Sequence, residues 1–382
     1  MDKRPPGLTR RPLLLGATAA MAWPGLLQAQ AQASHRPGDA LQARPLRFPR
    51  DHGSHNQTRT EWWYLTGHAR DTEGRDFGFQ LTFFRSRVDA ARDLPSRLAA
   101  RQLLFAHAAI TDVRSGELVH DQRIARWNGD PPTDTARAVF ASEHDTHVAL
   151  RDWLLRRETG GEYLLHAQGP SLLIDLQATP RQALLLQGDR GFSRKGPDAA
   201  QASFYVSQPH LAVRGTLGVR GQRFTVQGSG WLDHEWSEAL LHPDAVGWDW
   251  IGMNLFDGHS LTAFQLRRQD GSKLWAGGSF RSANSAQSPT DLYDFRPGEV
   301  DWSARRHWTS PLTRARYPVE WVVRTPADFY TVRAVIDPQE LDSRASTGTV
   351  YWEGLSDLLD SNGRTVGRGY LEMTGYAQRL TL

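Results

Sequence analysis

The residues best able to do chemistry are concentrated between Gly228 and Trp250. This stretch combines four tryptophans with seven titratable side chains, namely Trp231, Trp236, Trp248 and Trp250 with Asp233, His234, Glu235, Glu238, His242, Asp244 and Asp249. Aromatic walls around carboxylates and an imidazole suit a pocket that holds an apolar ligand and transfers a proton. Structural ion-pair networks have a similar composition. The alternative is therefore a barrel end capped by aromatic side chains, with the charged groups at its solvated rim.

Proton transfer in such a pocket requires a carboxylic acid that an apolar environment keeps protonated, and aromatic faces can stabilise a cation that forms. The candidate catalytic residues are Asp233, Glu235 and Asp249 as acids, with His234 as the group that orients one of them. The candidate ligand-binding wall consists of Trp231, Trp236, Trp248 and Trp250. For each acid, a salt bridge at a barrel mouth is the competing interpretation.

Two further candidates for ligand binding lie earlier in the chain. Glu61 precedes a run of aromatic residues, and on a strand it shares one face with Trp63. That face mixes an acid with an indole, as a ligand-binding or interdomain surface would. The alternative is a core ion pair between Glu61 and an arginine such as Arg85. His107 lies in an otherwise apolar strand, where it either contacts a ligand or is a hydrogen-bonded core histidine.

Strands must position these residues, because the sequence pattern is almost entirely that of β-structure. Residues 59–70 and 76–85 form a predicted hairpin, with large apolar side chains alternating along the second strand. Further strand-like runs, separated by turn signals, lie at 103–112, 147–155, 162–167, 171–177, 183–187, 248–256, 260–268, 274–281, 317–324, 330–336, 350–359 and 366–377. Only 93–102 and 338–342 suggest short helical turns. Consecutive hairpins of this kind indicate a meander that closes into an up-and-down barrel.

The N-terminal segment is typical of an export signal rather than of folded structure. Residues 1–33 contain a basic front, a short apolar run and small-residue cleavage triplets, and Thr9–Leu14 fits a twin-arginine signal. The apolar run is too short to span a membrane and is interrupted by Pro24 and Gly25. We therefore predict a signal peptide at 1–33, an extended leader at 34–50, and a periplasmic or secreted mature chain without a transmembrane segment.

The composition excludes several classes of protein. The chain has 382 residues and no cysteine, which rules out disulfides, a cysteine nucleophile and thiolate-bound metals. The formal net charge is +3 and no dense basic tract is present, so nucleic acid is not an expected partner. An exported chain without disulfides must be stable from burial alone, and at this length two domains are expected.

Common catalytic and cofactor motifs are also missing from the sequence. It contains no Gly-x-Ser-x-Gly elbow, no His-Glu-x-x-His and no dinucleotide-binding fingerprint. The only close histidine pairs, in 51–55 and 144–147, stand in polar, loop-like surroundings. We therefore expect no metal site and no cofactor.

Nine collinear segments between about residues 54 and 377 carry a family resemblance. They are EWWYLTG (61–67), QLTFFR (80–85), AHAA (106–109), GSGWLDHEW (228–236), GWDW (247–250), HWTSP (307–311), YPVEW (317–321), YWEG (351–354) and GYLEMTGY (369–376). The chain resembles the secreted AttH and carotenoid 1,2-hydratase (CrtC) family of lipocalin-like proteins. This resemblance covers nearly all of the predicted mature chain.

The resemblance implies an all-β fold of two tandem lipocalin-like antiparallel β-barrel domains, which we place at 51–232 and 233–382. It also implies either hydration of an isoprenoid double bond or one of the less defined roles in the family, whose secreted members are described as hydrolases or attachment proteins. The hydratase branch uses a His, a Trp, a Tyr and an Asp. His234 and Trp236 match its His–x–Trp part, but the strand 260–266 (SLTAFQL) has no counterpart of its Tyr–x–Asp part.

Two classes of function follow from these patterns. The first is a periplasmic or secreted lipocalin-like protein that binds a hydrophobic lipid or isoprenoid, with an ABC-transporter permease as a partner. The second is a cofactor-independent hydratase, lyase or hydrolase on an isoprenoid or lipid, related to carotenoid 1,2-hydratase. The missing Tyr–x–Asp part favours the first class, and the density of charged groups in 233–249 favours the second.

Overall fold

The computed structural model describes Met1 and residues 41–135, 138–239 and 241–380. These residues form two antiparallel, barrel-like sheets, which confirms the predicted all-β fold of tandem lipocalin-like barrels. The predicted signal peptide beyond Met1, and residues 34–40 of the predicted leader, lie outside the described residues. Within the described ranges, no helix is long and apolar enough to cross a lipid bilayer.

The first barrel contains the strands up to Ser237. They are β1 (Thr60–Asp71), β2 (Asp76–Arg87), β3 (Gln102–Asp112), β4 (Glu117–Trp127), β5 (Val139–Ala141), β6 (His147–Leu150), β7 (Trp153–Arg157), β8 (Tyr163–Gln168), β9 (Leu172–Pro180), β10 (Leu185–Leu186), β11 (Phe192–Arg194), β12 (Ala202–Val219) and β13 (Gln222–Ser237). Their order is β4-β3-β2-β1-β13-β12-β9-β8-β7-β6-β5, and β10 and β11 also pair with β12.

The second barrel begins at Gly247. Its strands are β14 (Gly247–Leu255), β15 (Ser260–Arg267), β16 (Lys273–Arg281), β17 (Tyr293–Asp294), β18 (Asp301–Thr309), β19 (Arg316–Arg324), β20 (Phe329–Ala334), β21 (Glu340–Ser343), β22 (Thr349–Leu359) and β23 (Thr365–Met373). Their order is β17-β16-β15-β14-β23-β22-β20-β19-β18, and β21 also pairs with β22. The boundary predicted between 232 and 233 falls within β13, and the sheets change between Ser237 and Gly247.

The predicted helical turns are not where the sequence suggested them. The segment 338–342 leads into β21, whose backbone pairs with β22, and 93–102 holds turns and coil before β3. The 3-10 turns in the described residues are Arg50–His52, Asp89–Ala91 and Ala283–Ser285. The predicted strand at 147–155 is two strands, because the chain reverses at Arg151, which has a positive φ of 61°.

The strands that sequence reasoning missed include β4 and β18, which stand at the ends of the two sheet orders. Both carry many half-buried and exposed polar residues. An end strand that faces solvent need not alternate between apolar and polar side chains, so the period-2 signal is weak there.

Three large apolar clusters organise the fold. One fills the first barrel, a second fills the second barrel, and a third lies between them. Alternation along β1 shows how one strand serves two of these clusters: Trp63 and Leu65 point into the first barrel, while Tyr64 belongs to the cluster between the barrels.

Candidate functional site

The candidate site lies between the barrels and is built on the outward face of β1 and β13. In the register of this pair, Tyr64 stands opposite Asp233 and Trp62 stands opposite Glu235. Paired residues in an antiparallel sheet project to the same face, so these four side chains form two adjacent rows. The row of Asp233 continues through Ser207 on β12.

The second barrel presents its own row to this face. Trp250 on β14 pairs with Glu372 on β23, and Glu372 pairs with Glu353 on β22. Trp250 packs edge-on against Tyr64, with ring centroids 5.3 Å apart. Glu353 accepts a hydrogen bond of 2.6 Å from the Gln80 amide of the first barrel. The two sheets therefore bring acids that are distant in the sequence into one buried layer.

Asp233 is a buried acid of this layer that accepts hydrogen bonds at both carboxyl oxygens. Its Oδ2 accepts a hydrogen bond from the Tyr205 hydroxyl at 2.6 Å, and its Oδ1 accepts one from the Trp231 indole at 2.7 Å. Tyr205 in turn accepts a hydrogen bond from the Trp250 indole at 3.0 Å. Burial raises the pKa of Asp233 to about 7, even though its hydrogen bonds act in the opposite direction. Asp233 is therefore poised to gain or lose a proton near neutral pH.

Glu372 and Glu353 are also buried carboxyl groups with raised pKa values. Burial raises the pKa of Glu372 to about 7, opposed by a hydrogen bond from the Trp248 indole at 3.1 Å and reinforced by the negative charge of Asp233. Burial and the charge of Glu372 raise the pKa of Glu353 well above its usual range. Among the described residues, neither these glutamates nor Asp233 forms an ion pair with a basic side chain, so nothing cationic offsets their burial.

Glu235 lies beside this group but has a cationic partner. Its Oε1 is 3.1 Å from the Lys195 ammonium and accepts a hydrogen bond from the Ser203 hydroxyl. Lys195 also lies over the rings of Tyr205 and Phe264, at 4.2 and 4.6 Å from their centroids. The Lys195 side chain is 21% exposed, so this ion pair stands at the edge of the buried layer.

The aromatic wall of the site is the apolar cluster between the barrels. Its buried members include Tyr64, Trp231, Trp250, Phe264 and Tyr370. Three half-buried tryptophans, Trp62, Trp248 and Trp275, pack against them and reach the surface. Indole rings therefore form the half-buried margin of the cluster around the acids.

The inward face of the same strands carries a different cluster. His234 points into the first barrel, where its Nε2 lies 2.9 Å from Oε1 of Glu61. Glu61 also pairs with the Arg85 guanidinium at 2.8 Å, so the structure contains the core ion pair that was the alternative interpretation of Glu61. Burial would raise the pKa of Glu61, but Arg85 and the neighbouring histidines outweigh it and hold that pKa well below its usual range.

His55 completes this inward cluster. Its Nδ1 lies 2.9 Å from Glu61 and its Nε2 lies 3.0 Å from Asp51, while its ring stacks on Trp236 at 3.7 Å between centroids. The donor atoms of His55, Glu61 and His234 lie within 4.8 Å of one another, a spacing that a metal ion could use. Each of these donor atoms is already hydrogen-bonded within the cluster, and Arg85 neutralises the carboxylate. The contacts present are those of a charge-balanced structural network.

Asp249 faces the interior of the second barrel, away from Trp248 and Trp250. It pairs with Arg267 at 2.8 Å and accepts hydrogen bonds from Gln265 and Tyr376 at 2.8 and 2.9 Å. Burial nevertheless raises its pKa. The Asp249–Arg267 pair is the counterpart in the second barrel of the Glu61–Arg85 pair in the first.

The remaining predicted ligand contacts divide between the two faces. Trp231, Trp248 and Trp250 are in the interface wall, whereas Trp63 stacks on His234 inside the first barrel at 4.8 Å between centroids. His107 is buried on the outward face of β3, where its two ring nitrogens lie 2.8 Å from the Tyr351 hydroxyl and 2.9 Å from the Ser346 hydroxyl. Burial lowers the pKa of His107 to about 3, so this histidine is neutral.

Sequence reasoning missed Tyr205, Glu353, Glu372 and Lys195. A signal was present for both glutamates, because each shares a strand face with a tyrosine two residues earlier, Tyr351 and Tyr370. An acid that shares a strand face with an aromatic residue is the pattern that singled out Glu61. Tyr205 and Lys195 carried no comparable signal.

Two lipocalin-like antiparallel barrels with acids buried between them define the class of this protein. The chain belongs to the AttH-like family, whose model matches residues 39–376. An AttH-type protein from Nitrosomonas europaea has a solved structure that is 43% identical, with a TM-score of 0.80, and the match covers 88% of this chain and 99% of that one. Kievitone hydratase from Nectria haematococca shares the fold at 13% identity, with a TM-score of 0.65, over 89% of this chain and 96% of that one. No curated protein matches the sequence.

Proposed function

We propose that this protein binds an apolar, unsaturated molecule between its two barrels and adds water to, or removes water from, that molecule by acid–base catalysis. The observation that carries this proposal is Asp233, a buried carboxyl with a pKa of about 7 that is held by Tyr205 and Trp231 beside Glu372, whose pKa is also about 7. Enzymes commonly shift the pKa values of catalytic acids and bases toward the operating pH in this way. Kievitone hydratase, which has the same two-barrel fold, is named for a hydration reaction.

Asp233 and Glu372 have different roles in the proposed reaction. In the hydration direction, the proton of Asp233, passed directly or through the Tyr205 hydroxyl, forms a C–H bond with one alkene carbon and uses the electron pair of the double bond. Water oxygen then bonds to the other carbon, which carries the positive charge, and the ionised Glu372 takes the proton that this water loses. Dehydration is the reverse. Because both pKa values are near 7, one carboxyl can be protonated while the other is ionised.

The aromatic wall suits the intermediate of this reaction. Trp231, Trp250 and Tyr64 belong to the apolar cluster around the acids, and aromatic faces attract a developing positive charge more strongly than aliphatic side chains do. The same wall gives an apolar ligand its binding energy, because burying aromatic and aliphatic surface is favourable.

The experiment is a turnover assay in isotopically labelled water. The purified chain is incubated with a panel of isoprenoid alcohols and unsaturated fatty acids in H₂¹⁸O, and products are analysed by mass spectrometry for added or lost water. Asp233→Asn and Glu372→Gln should abolish ¹⁸O incorporation while tryptophan fluorescence still reports ligand binding. Asp270→Asn changes an exposed acid on the β15–β16 turn and is the matched control.

The outcomes separate the two classes of function. If the wild type converts a substrate and both acid variants still convert it, the assignment of Asp233 and Glu372 as the reacting acids is wrong. Binding without conversion of any substrate would instead leave a carrier of hydrophobic molecules, the function that the sequence pattern also predicted. Export to the periplasm or beyond, and pairing with an ABC-transporter permease, stay predictions from the N-terminal segment and the family resemblance.

A further inference from the structure

A groove lies between the barrels, apart from the acids. It has a volume of about 980 Å³ and is lined on one side by the outward face of the first barrel and on the other by β22, β23 and the turn after β14. On β1, His68 at the groove stands four positions after Tyr64 at the acids, about 13 Å along the strand. The proposed reaction uses none of the groove residues.

Arginines are brought together on the floor of this groove by the strand register. Arg214 on β12 and Arg70 on β1 both stand opposite Gln227 on β13, so the two arginines are two strands, or about 10 Å, apart. Arg181 directly follows β9 and lies on the same face as Gln177, the cross-strand partner of Arg214. Arg181 stands four positions beyond Gln177, about 13 Å along the strand direction, so Arg181 and Arg214 can hold one anion when both side chains extend toward it.

Among the residues that the structure describes, no carboxylate forms an ion pair with two of the arginines in the groove. Arg70 is paired with Asp76 at 2.7 Å, and Arg368 is paired with Asp357 at 2.7 Å. Arg214, in contrast, donates two hydrogen bonds to the neutral Gln177 amide oxygen, at 3.0 and 2.7 Å. The side chain of Arg181 has no ion-pair partner in the described part of the chain.

The lining also includes apolar surface at the rim. Phe256 follows β14 and is 64% exposed, which is unusual for a ring of this size. Ala212 and Thr179, which are cross-strand partners, also line the groove. A ligand whose anionic end reaches the arginines would therefore lay its apolar part against Phe256.

We propose that this groove binds the phosphate group of an anionic amphiphile, with Arg181 and Arg214 holding the phosphate and Phe256 contacting the apolar chain. The planar guanidinium fork matches a phosphate bidentately, and two unmatched arginines balance the double charge of a phosphate monoester. This site goes beyond the proposed acid–base reaction and does not depend on it.

The test is isothermal titration of the purified chain with dodecyl phosphate below its micelle concentration, with inorganic phosphate, and with dodecanol. Dodecyl phosphate should bind most tightly, and its affinity should fall as salt is added. The double variant Arg181→Gln/Arg214→Gln should weaken it about tenfold or more, while Phe256→Ser should weaken dodecyl phosphate but not inorganic phosphate. Arg305→Gln, an exposed arginine on β18, is the matched control and should change nothing.

Three results would overturn the proposal. They are unchanged dodecyl phosphate affinity in the double arginine variant, equal affinity for dodecanol, and equal affinity for inorganic phosphate, which would assign the groove to a free oxyanion. Flotation with vesicles of phosphatidic acid in phosphatidylcholine then identifies the source of the phosphate. Arginine-dependent flotation would extend the assignment to a lipid headgroup in a bilayer, and binding of dodecyl phosphate without flotation would confine it to a dispersed amphiphile.

Discussion

Glu353 and Glu372 are direct cross-strand partners on β22 and β23, and both carboxyl groups lie in the layer between the two barrels. Side chains paired in this way have Cβ atoms about 4.5–5.5 Å apart, and like charges at that spacing are destabilising. The negative charge of Glu372 accordingly raises the pKa of Glu353, in addition to the effect of burial. Ionisation of both glutamates at once is therefore disfavoured, next to the Asp233 that we propose as the catalytic acid.

The first prediction concerns the protons on these buried carboxyl groups. Infrared spectra of the unliganded protein should show a protonated-carboxyl C=O band at pH 6 that loses intensity as the pH passes about 7, the pKa of Glu372 and Asp233. Glu372→Gln should remove part of the band, and Asp270→Asn should leave it unchanged. Absence of any carboxyl band at pH 6 would contradict the raised pKa values.

The second prediction is a pH-dependent effect of Asp233→Asn on stability. The pKa of Asp233 is about 7 in the folded state and ordinarily 3.8, so the folded protein binds this proton more tightly. The resulting stability is fully present below about pH 4 and is lost as the pH rises to about 7, and it is on the order of 4 kcal/mol at most. The asparagine variant has no such loss, so its melting temperature relative to wild type should rise across this window.

The control for that experiment is Glu61→Gln, for which the pH dependence of stability has the opposite sign. The pKa of Glu61 is held well below its usual value by Arg85, so its contribution is present above the ordinary pKa of 4.5 and is lost only in acid. Glu61→Gln should therefore be most harmful at neutral pH and least harmful in strong acid. A pH-independent difference between wild type and Asp233→Asn would show that this carboxyl has the same pKa in both states.

The third prediction is that the inward pair Glu61–Arg85 is required for folding stability. Both side chains are fully buried, and removing one partner leaves the other charge without compensation. Glu61→Gln should lower the free energy of unfolding in urea at pH 7 by about 3–5 kcal/mol. Asp342→Asn, which breaks an exposed pair with Arg344, should have little effect. A small effect at Glu61 would mean that the cluster relaxes around an uncharged side chain.

The fourth prediction separates the two faces of the tryptophan-rich stretch. Trp250→Phe removes the indole hydrogen bond to Tyr205 in the interface, so it should weaken both turnover and binding of an apolar ligand. Trp236→Phe changes a ring that stacks on His55 and Phe204, so it should lower the melting temperature and leave ligand affinity unchanged. Fluorescence titration with the best substrate of the turnover assay measures the ligand affinity of both variants. Equal losses of affinity would contradict the proposed location of the binding site between the barrels.

The sequence by itself determined the all-β class, the positions of most strands, the family and the stretch in which Asp233 lies. These follow from local rules: alternation predicts strands, turn residues separate them, and collinear segments identify the family. Alternation also shows that Asp233 and His234 point to opposite faces, without showing which face is which.

Only the tertiary structure decided which face holds the site. It placed Asp233 and Trp250 between the barrels, and Glu61, His234 and Asp249 inside them, each with its own partners. It also brought Glu353 and Glu372, from the far end of the chain, opposite the strand that carries Asp233. Strand register and barrel-on-barrel packing join residues without regard to their separation in sequence. The pKa values follow from the resulting burial, which no local pattern contains.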